Sequence, residues 1–185
     1  QGSLDDSIRH AITKLSHLHF VSTEDYRQRV IQLGEMPERV FNVGALGIDG
    51  IRRVTLLDRV SVEQCLGFEL AKRNLRVTFH PETVEEGVSE THLDLLLQAL
   101  SELQDTRFVF TLPNPDHEGR RMGQKIKEFC SSHPLASAHE SLGQQLYLSC
   151  MSHFDGVIGN SSSGIIEAPS FRKGSINIGD RQKGR

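Results

Sequence analysis

No apolar run in this chain approaches the roughly 20 residues that span a bilayer, and its start, QGSLDDSIRH, has no basic region followed by an apolar one. A membrane span or leader peptide is therefore not expected, and the chain reads as soluble. Cysteine is scarce. Cys65, Cys130 and Cys150 are odd in number and share no CxxC spacing, which sets aside a disulfide framework and a zinc knuckle and fits a reducing, cytoplasmic setting. An excess of one charge is missing too: 24 Asp and Glu stand against 21 Lys and Arg, a formal charge of -3. That balance gives no overall attraction for nucleic acid or anionic membranes, so any binding of phosphate must be local. Low-complexity segments, charge blocks and fixed-period repeats are absent, and so are GxxxxGK[ST] and a GxGxxG after a first strand. The last two absences argue against a P-loop NTPase and an ordinary nicotinamide enzyme.

What is present is apolar patterning. Across 185 residues, short and partly β-branched runs recur at VFNV (40–43), LRVTF (75–79), RFVFTL (107–112), LASA (135–138), FDGVI (154–158) and SINI (175–178), with amphipathic stretches between them. THLDLLLQALSEL (91–103) carries Leu93, Leu96, Leu97, Leu100 and Leu103 on one helical face, with Thr91 and Asp94 as a capping box; SVEQCLGFELAKR (61–73) opens similarly with Ser61 and Gln64. Alternating strands and helices with short connections predict a doubly wound α/β domain, a parallel sheet with helices on both faces, over residues 40–185. Residues 1–39 read differently, as a helix, a short strand at LHFVS and a second helix entered through Ser22 and Asp25, the tail of another unit.

In open parallel sheets ligands collect beyond the carboxyl ends of the strands. The groups expected there are HPET (80–83), PNPD (113–116), HES (139–141), GNSSSG (159–164) and GDRQKGR (179–185). A helix starting near Ser163 would present unpaired N–H groups at its positive end, with Gly164 allowing close approach and the serine hydroxyls donating to phosphate oxygens. Glu167, a turn further on, suits a ribose diol, and Arg181, after the next strand, suits a diphosphate. Serines that merely cap a helix above a solvated Glu167 explain the same spacing. His80, with Glu82 close by, can move protons from a strand end, or can be structural. His17 and His19 make a weak metal pair, and no metal site is expected. Asp5 and Arg9 share a helix face, where a surface ion pair is the simplest account.

Four segments, GSLDDSIRHAITKL (2–15), VTFHPET (77–83), GNSSSGIIEAP (159–169) and INIGDRQKGR (176–185), taken together resemble the hydrolysing UDP-N-acetylglucosamine 2-epimerases of sialic acid synthesis. The resemblance covers essentially the whole chain in order. It implies two Rossmann-like domains in the glycosyltransferase-B arrangement with substrate between them. This chain would hold the tail of the N-terminal domain and most of the C-terminal one, so the N-terminal Rossmann-like domain would be its partner and the full-length protein a homo-oligomer. By the same resemblance Asp5 is an acid–base carboxylate beside Arg9, and His80 sits at the sugar or diphosphate. Ser161 and Ser162 contact the diphosphate, Glu167 the ribose and Arg181 the phosphates. The backbone at Glu140 and Ser141 meets uracil, and Asn114 is a further strand-end candidate. The implied reaction needs no cofactor: loss of the C2 proton expels UDP from C1, and water adds to the resulting glycal. The other active-site acids of the family would lie in the absent domain, which leaves a UDP-binding module without turnover as the reading from another class. A non-hydrolysing epimerase and a glycosyltransferase remain open through shared architecture.

Overall fold

The structure, a computed structural model, describes residues 4–81, 88–114 and 117–182, with the side chains of residues 4–6 and 117 outside that description. Glu82, Asp116 and the carboxylate of Asp5 thus lie outside the described residues. The chain divides into two compact units, Gln1–Arg53 and Val54–Arg185.

The first unit runs through helix α1 (Leu4–Leu15), strand β1 (His19–Val21), helix α2 (Glu24–Gln32), strand β2 (Val40–Asn42) and helix α3 (Leu46–Arg53). Thr23, not Ser22, caps α2, its hydroxyl accepting from the Tyr26 N–H at 3.2 Å. β2 pairs in parallel with β1, in the register His19 to Val40, and Phe20 stacks on Phe41 at 5.7 Å. The strand at 40–43, expected to begin the second domain, therefore belongs to the first unit. Its apolar pattern fits either sheet, and only the pairing assigns it.

The second unit begins with helix α4 (Arg59–Leu66), followed by strand β3 (Arg73–Thr78), helix α5 (Val88–Ser101), strand β4 (Thr106–Thr111), helix α6 (His117–Ser132), strand β5 (Ala136–His139), helix α7 (Gly143–His153), strand β6 (Gly156–Gly159), the short helix α8 (Ser163–Ile166) and strand β7 (Gly174–Asn177). The five strands form one parallel sheet in the order β5-β4-β3-β6-β7. Period-two side chains divide its faces. Val77, Phe108, Phe110 and Ile158 pack beneath Leu93, Leu96, Leu97 and Leu100 of α5 and Met122, Ile126 and Phe129 of α6. On the other face Val109 meets Val62 and Leu66 of α4 and Cys150 of α7, and Val157 meets Met151 and Ala168. The expected doubly wound architecture is present.

Two local expectations shift. Asp58 caps α4, accepting from the Ser61 N–H at 2.8 Å, and Gly67 ends the helix at φ 79, six residues before the expected stop. α5 starts at Val88, so Thr91 stands inside it, and Asp94 is held by Lys125 Nζ at 2.7 Å instead of closing a capping box. A capping box needs Thr91 at the N-cap, and the helix has begun three residues before it.

Burial pushes the Cys130 thiol up to about 11 and the Cys150 thiol up to about 12, whereas Cys65 is exposed. A thiol reagent at about pH 8 is expected to modify Cys65 in the native protein and the other two only after denaturation, as read by intact mass. Because the folded state holds those two thiols protonated, its stability should fall as pH rises above the ordinary thiol range, where the unfolded chain alone sheds the protons.

Candidate functional site

The strand order fixes where a ligand can enter. From β3 the chain builds outward through β4 and β5, then returns to the opposite side of β3 with β6, so connections leave in opposite directions at the β3–β6 boundary. Such a boundary opens a crevice at the carboxyl ends of the two strands. Here Thr78 and Gly159 are register partners, and His80 and Asn160 follow them immediately. The strand-end residues 80 and 160–164 are thus brought together, while those after β4 and β5 stand further along the sheet.

Asn160 builds this crevice. Fully buried, it accepts the His80 N–H on Oδ1 at 2.7 Å and donates Nδ2 to the His80 carbonyl at 2.8 Å. Its own N–H reaches the Thr78 carbonyl at 3.1 Å. Its carbonyl accepts from Arg181 Nη1 at 3.2 Å and Gln182 Nε2 at 2.7 Å. One side chain and its peptide therefore tie together the ends of β3, β6 and β7. Neither Asn160 nor the buried Gln182 is conspicuous in the sequence. The available signal was an asparagine directly after a strand glycine, opposite another strand's His-Pro, a place where an amide can satisfy two exposed backbone groups.

The serine loop differs from expectation in one respect. α8 spans four residues, Ser163–Ile166, and a 3-10 turn over Ala168–Phe171 follows. So few aligned peptides give little macrodipole, and the N–H groups of Gly164 and Ile165 are taken by the carbonyls of Ser161 and Ser162 at 3.2 and 3.0 Å. The N–H groups of Ser161 and Ser162 have no acceptor among the described residues. Positive charge must come from side chains. Below the loop Arg76, 1% exposed, lies over the Tyr147 ring at 4.0 Å and donates to Ser163 Oγ at 2.5 Å; the Tyr147 hydroxyl bonds the same oxygen. Neither Arg76 nor Tyr147 was singled out from sequence, since an arginine inside an apolar strand run reads as an edge or a solvent-facing position. A Cβ on Gly164 would meet Ser175 Cβ at 3.4 Å, an ordinary contact, so packing within the chain does not demand glycine there.

Glu167 is half-buried at the C-terminal end of α8, where its carboxylate acts on both Arg76 and Tyr147. Arg181 is exposed at the mouth. Asn114 and Glu140 are exposed beyond β4 and β5, and Ser141 Oγ accepts the Gly143 N–H at 3.1 Å, serving the turn into α7. Arg9 is exposed on α1, and Asp5 lies on the same helix. Both belong to the first unit.

The profile of the UDP-N-acetylglucosamine 2-epimerase family matches residues 1–185. The chain belongs to this family. It is 43% identical over 186 residues to a Campylobacter jejuni protein named GDP/UDP-N,N'-diacetylbacillosamine 2-epimerase (hydrolyzing), covering 100% of this chain and 48% of that one. It is also 43% identical over 182 residues to the Escherichia coli polysialic acid biosynthesis protein P7, covering 98% and 46%. The chain thus spans about half the length of the curated relatives it matches. Among solved structures, the Neisseria meningitidis UDP-GlcNAc 2-epimerase bound to UDP-GlcNAc superposes with TM-score 0.74 at 19% identity over 91% of this chain and 46% of that one. The S. aureus MnaA–UDP co-structure gives 0.68 at 18% over 89% and 43%. These likenesses show the shared glycosyltransferase-B-type α/β fold.

In this epimerase-family chain His19 is buried and bonded through Nε2 to Glu35 Oε2 at 3.1 Å, and His17 Nδ1 lies 3.4 Å from Arg39 Nη1. Lys14, donating to Glu35 Oε1 at 2.8 Å, holds that carboxyl below the usual carboxylate range. Among the described residues no three His, Cys, Asp or Glu side chains are grouped to hold a metal ion, and no helix is long and apolar enough to cross a membrane.

Proposed function

We propose that this chain supplies the UDP-binding half of a hydrolysing UDP-N-acetylglucosamine 2-epimerase, and that the first unit is the tail of that enzyme's N-terminal Rossmann-like domain. The observation that carries the reading is the β3–β6 crevice, where Asn160 ties His80 to the serine loop and to Arg181. Ser161 and Ser162 offer N–H groups and hydroxyls to the diphosphate, and Arg181 offers its guanidinium. Glu167 accepts from the ribose hydroxyls. The backbone around Glu140 and Ser141 meets uracil, and Asn114, beyond the end of β4, is a further candidate.

In the proposed reaction a base takes the proton from C2 of the sugar, the C1–O bond breaks with its electron pair leaving on UDP, and a C1–C2 double bond forms. Water then adds, its oxygen to C1 and a proton to the opposite face of C2, giving N-acetylmannosamine. The leaving diphosphate gains negative charge as the bond breaks, so donors fixed around it lower the barrier. Asp5 with Arg9 is assigned to proton transfer, and His80 to the leaving group. The enzyme works as a homo-oligomer of full-length chains.

Incubation of the full-length enzyme with UDP-N-acetylglucosamine should release free UDP and N-acetylmannosamine. UDP retained on the product sugar would reject hydrolysis, and tight UDP binding with no turnover would reduce the chain to a binding module. Glu167→Ala should weaken UDP binding by about tenfold, the value of one charge-assisted hydrogen bond, and unchanged affinity removes the ribose role. His80→Ala should lower turnover more than UDP affinity. The relatives named for N,N'-diacetylbacillosamine favour a second reading, in which the sugar carries a further acetamido group. A higher kcat/KM on that UDP-sugar than on UDP-N-acetylglucosamine would select it.

A further inference from the structure

One buried charge has no part in the proposed roles. Arg76 stands in the middle of β3, 1% exposed, on the sheet face shared with α7 and α8. Its Nη2 donates to Ser163 Oγ, but Nε and Nη1 are buried with no partner among the described residues. Burial pushes its pKa down, and Tyr147 and Glu167 offset part of that. A buried guanidinium is normally satisfied by a carboxylate in direct contact. Among the described residues Arg76 makes no such ion pair.

The hydrogen-bond valence of Ser163 gives this charge a direction. A serine oxygen has two lone pairs and one proton. One lone pair is filled by Arg76, which can only donate. The other is filled by the Tyr147 hydroxyl, whose pKa burial raises, so that it keeps its proton. With both lone pairs so used, Ser163 has its own proton left to offer to a third group. The short α8 supplies little dipole, so the buried guanidinium is the charge that sits beneath the loop.

We propose that Arg76 is a positioning residue for the anion: from beneath the β6–α8 loop it fixes Ser163 as an obligate hydrogen-bond donor and lends the loop its positive charge, so that a nucleoside diphosphate is held through its phosphates. This deepens the proposed UDP site and rests on it. Arg76 acts through Ser163 and does not touch the ligand. Because Glu167 and Tyr147 offset its burial only in part, its removal should affect the liganded state more than the free one.

The test is calorimetry with UDP and with uridine on the wild type, Arg76→Met, Ser163→Ala and the double variant, alongside thermal unfolding without ligand. Each single variant should lose UDP affinity about tenfold, as expected for a charge-assisted hydrogen bond. Uridine affinity should stay unchanged, and the double variant should lose no more than either single one, since the two residues act as one unit. Equal losses for UDP and uridine, additive losses, or unchanged UDP affinity in Ser163→Ala would each overturn the proposal. The Ser163→Ala arm decides it should Arg76→Met not fold. A wild type that binds no UDP would overturn the nucleotide reading itself, an outcome distinct from failure of the Arg76 role.

Discussion

Gly159→Ala should unfold the second unit at temperatures where the wild type is intact. Gly159 ends β6 at φ 135, and a Cβ built there would lie 1.8 Å from the Thr78 carbonyl oxygen and 2.7 Å from its carbon. Both obstacles are backbone atoms of the central strand, so no rotamer change relieves them. The register pair Thr78–Gly159 must separate, and with it the hydrogen bond from the Asn160 N–H to Thr78. Overpacking of a rigid site costs about 1–3 kcal/mol, and a non-glycine residue at such a φ adds a similar amount. The sum, about 4 kcal/mol, corresponds to roughly 8–16 °C of melting temperature for a chain of this size. Circular dichroism on heating measures it. Gly174→Ala is the matched control: a Cβ on Gly174 meets nothing within 4 Å, and the variant should melt close to wild type. Equal melting temperatures for the two variants would show that the β3–β6 junction is not built as described.

Asn160→Asp should damage binding more than Asn160→Ala, although it is the smaller change in shape. Alanine removes both hydrogen bonds to His80, at about 1–3 kcal/mol for each group that stays buried without a replacement. Aspartate keeps the acceptor for the His80 N–H, but it loses the donor to the His80 carbonyl and sets a carboxylate oxygen against that carbonyl. It also brings a negative charge into a fully buried position beside the loop proposed to hold a diphosphate. UDP affinity should fall at least tenfold in Asn160→Asp, or about 1.4 kcal/mol or more, and less in Asn160→Ala. Titration calorimetry with UDP, checked against each variant's melting temperature, separates folding from binding. An Asn160→Asp protein that binds UDP as well as wild type would show that the crevice does not take an anion.

The strand runs at 75–79, 107–112, 154–158 and 175–178 could be read from the chain because they alternate β-branched or aromatic side chains between turn signals, and each lies within two residues of an observed strand. The leucine face of α5 was equally plain, since four of its leucines are buried where the 3.6-residue period puts them. Caps were less legible. Thr23, Asp58 and the start of α5 each had a near neighbour of the same chemistry, and local spacing does not rank such neighbours. The candidate residues that could be named from the chain were those with conspicuous chemistry: the serines, Glu167, Arg181 and His80. Asn160, Gln182, Arg76 and Tyr147 escaped, because what matters in them is the atom each one faces across the sheet.

The sequence by itself determined which segments become strands and helices, that the sheet is parallel and doubly wound, and which strand ends carry ligand-type groups. These follow from side-chain period and from short connections, which are properties of neighbours along the chain. The tertiary structure alone decided that β2 pairs with β1, that the chain reverses between β3 and β6, and that Asn160 joins three strand ends over a buried Arg76. Strand order and hydrogen-bond partners are settled by packing between residues some 80 positions apart, as between Arg76 and Ser163 with a separation of 87, and no local pattern encodes such a distance.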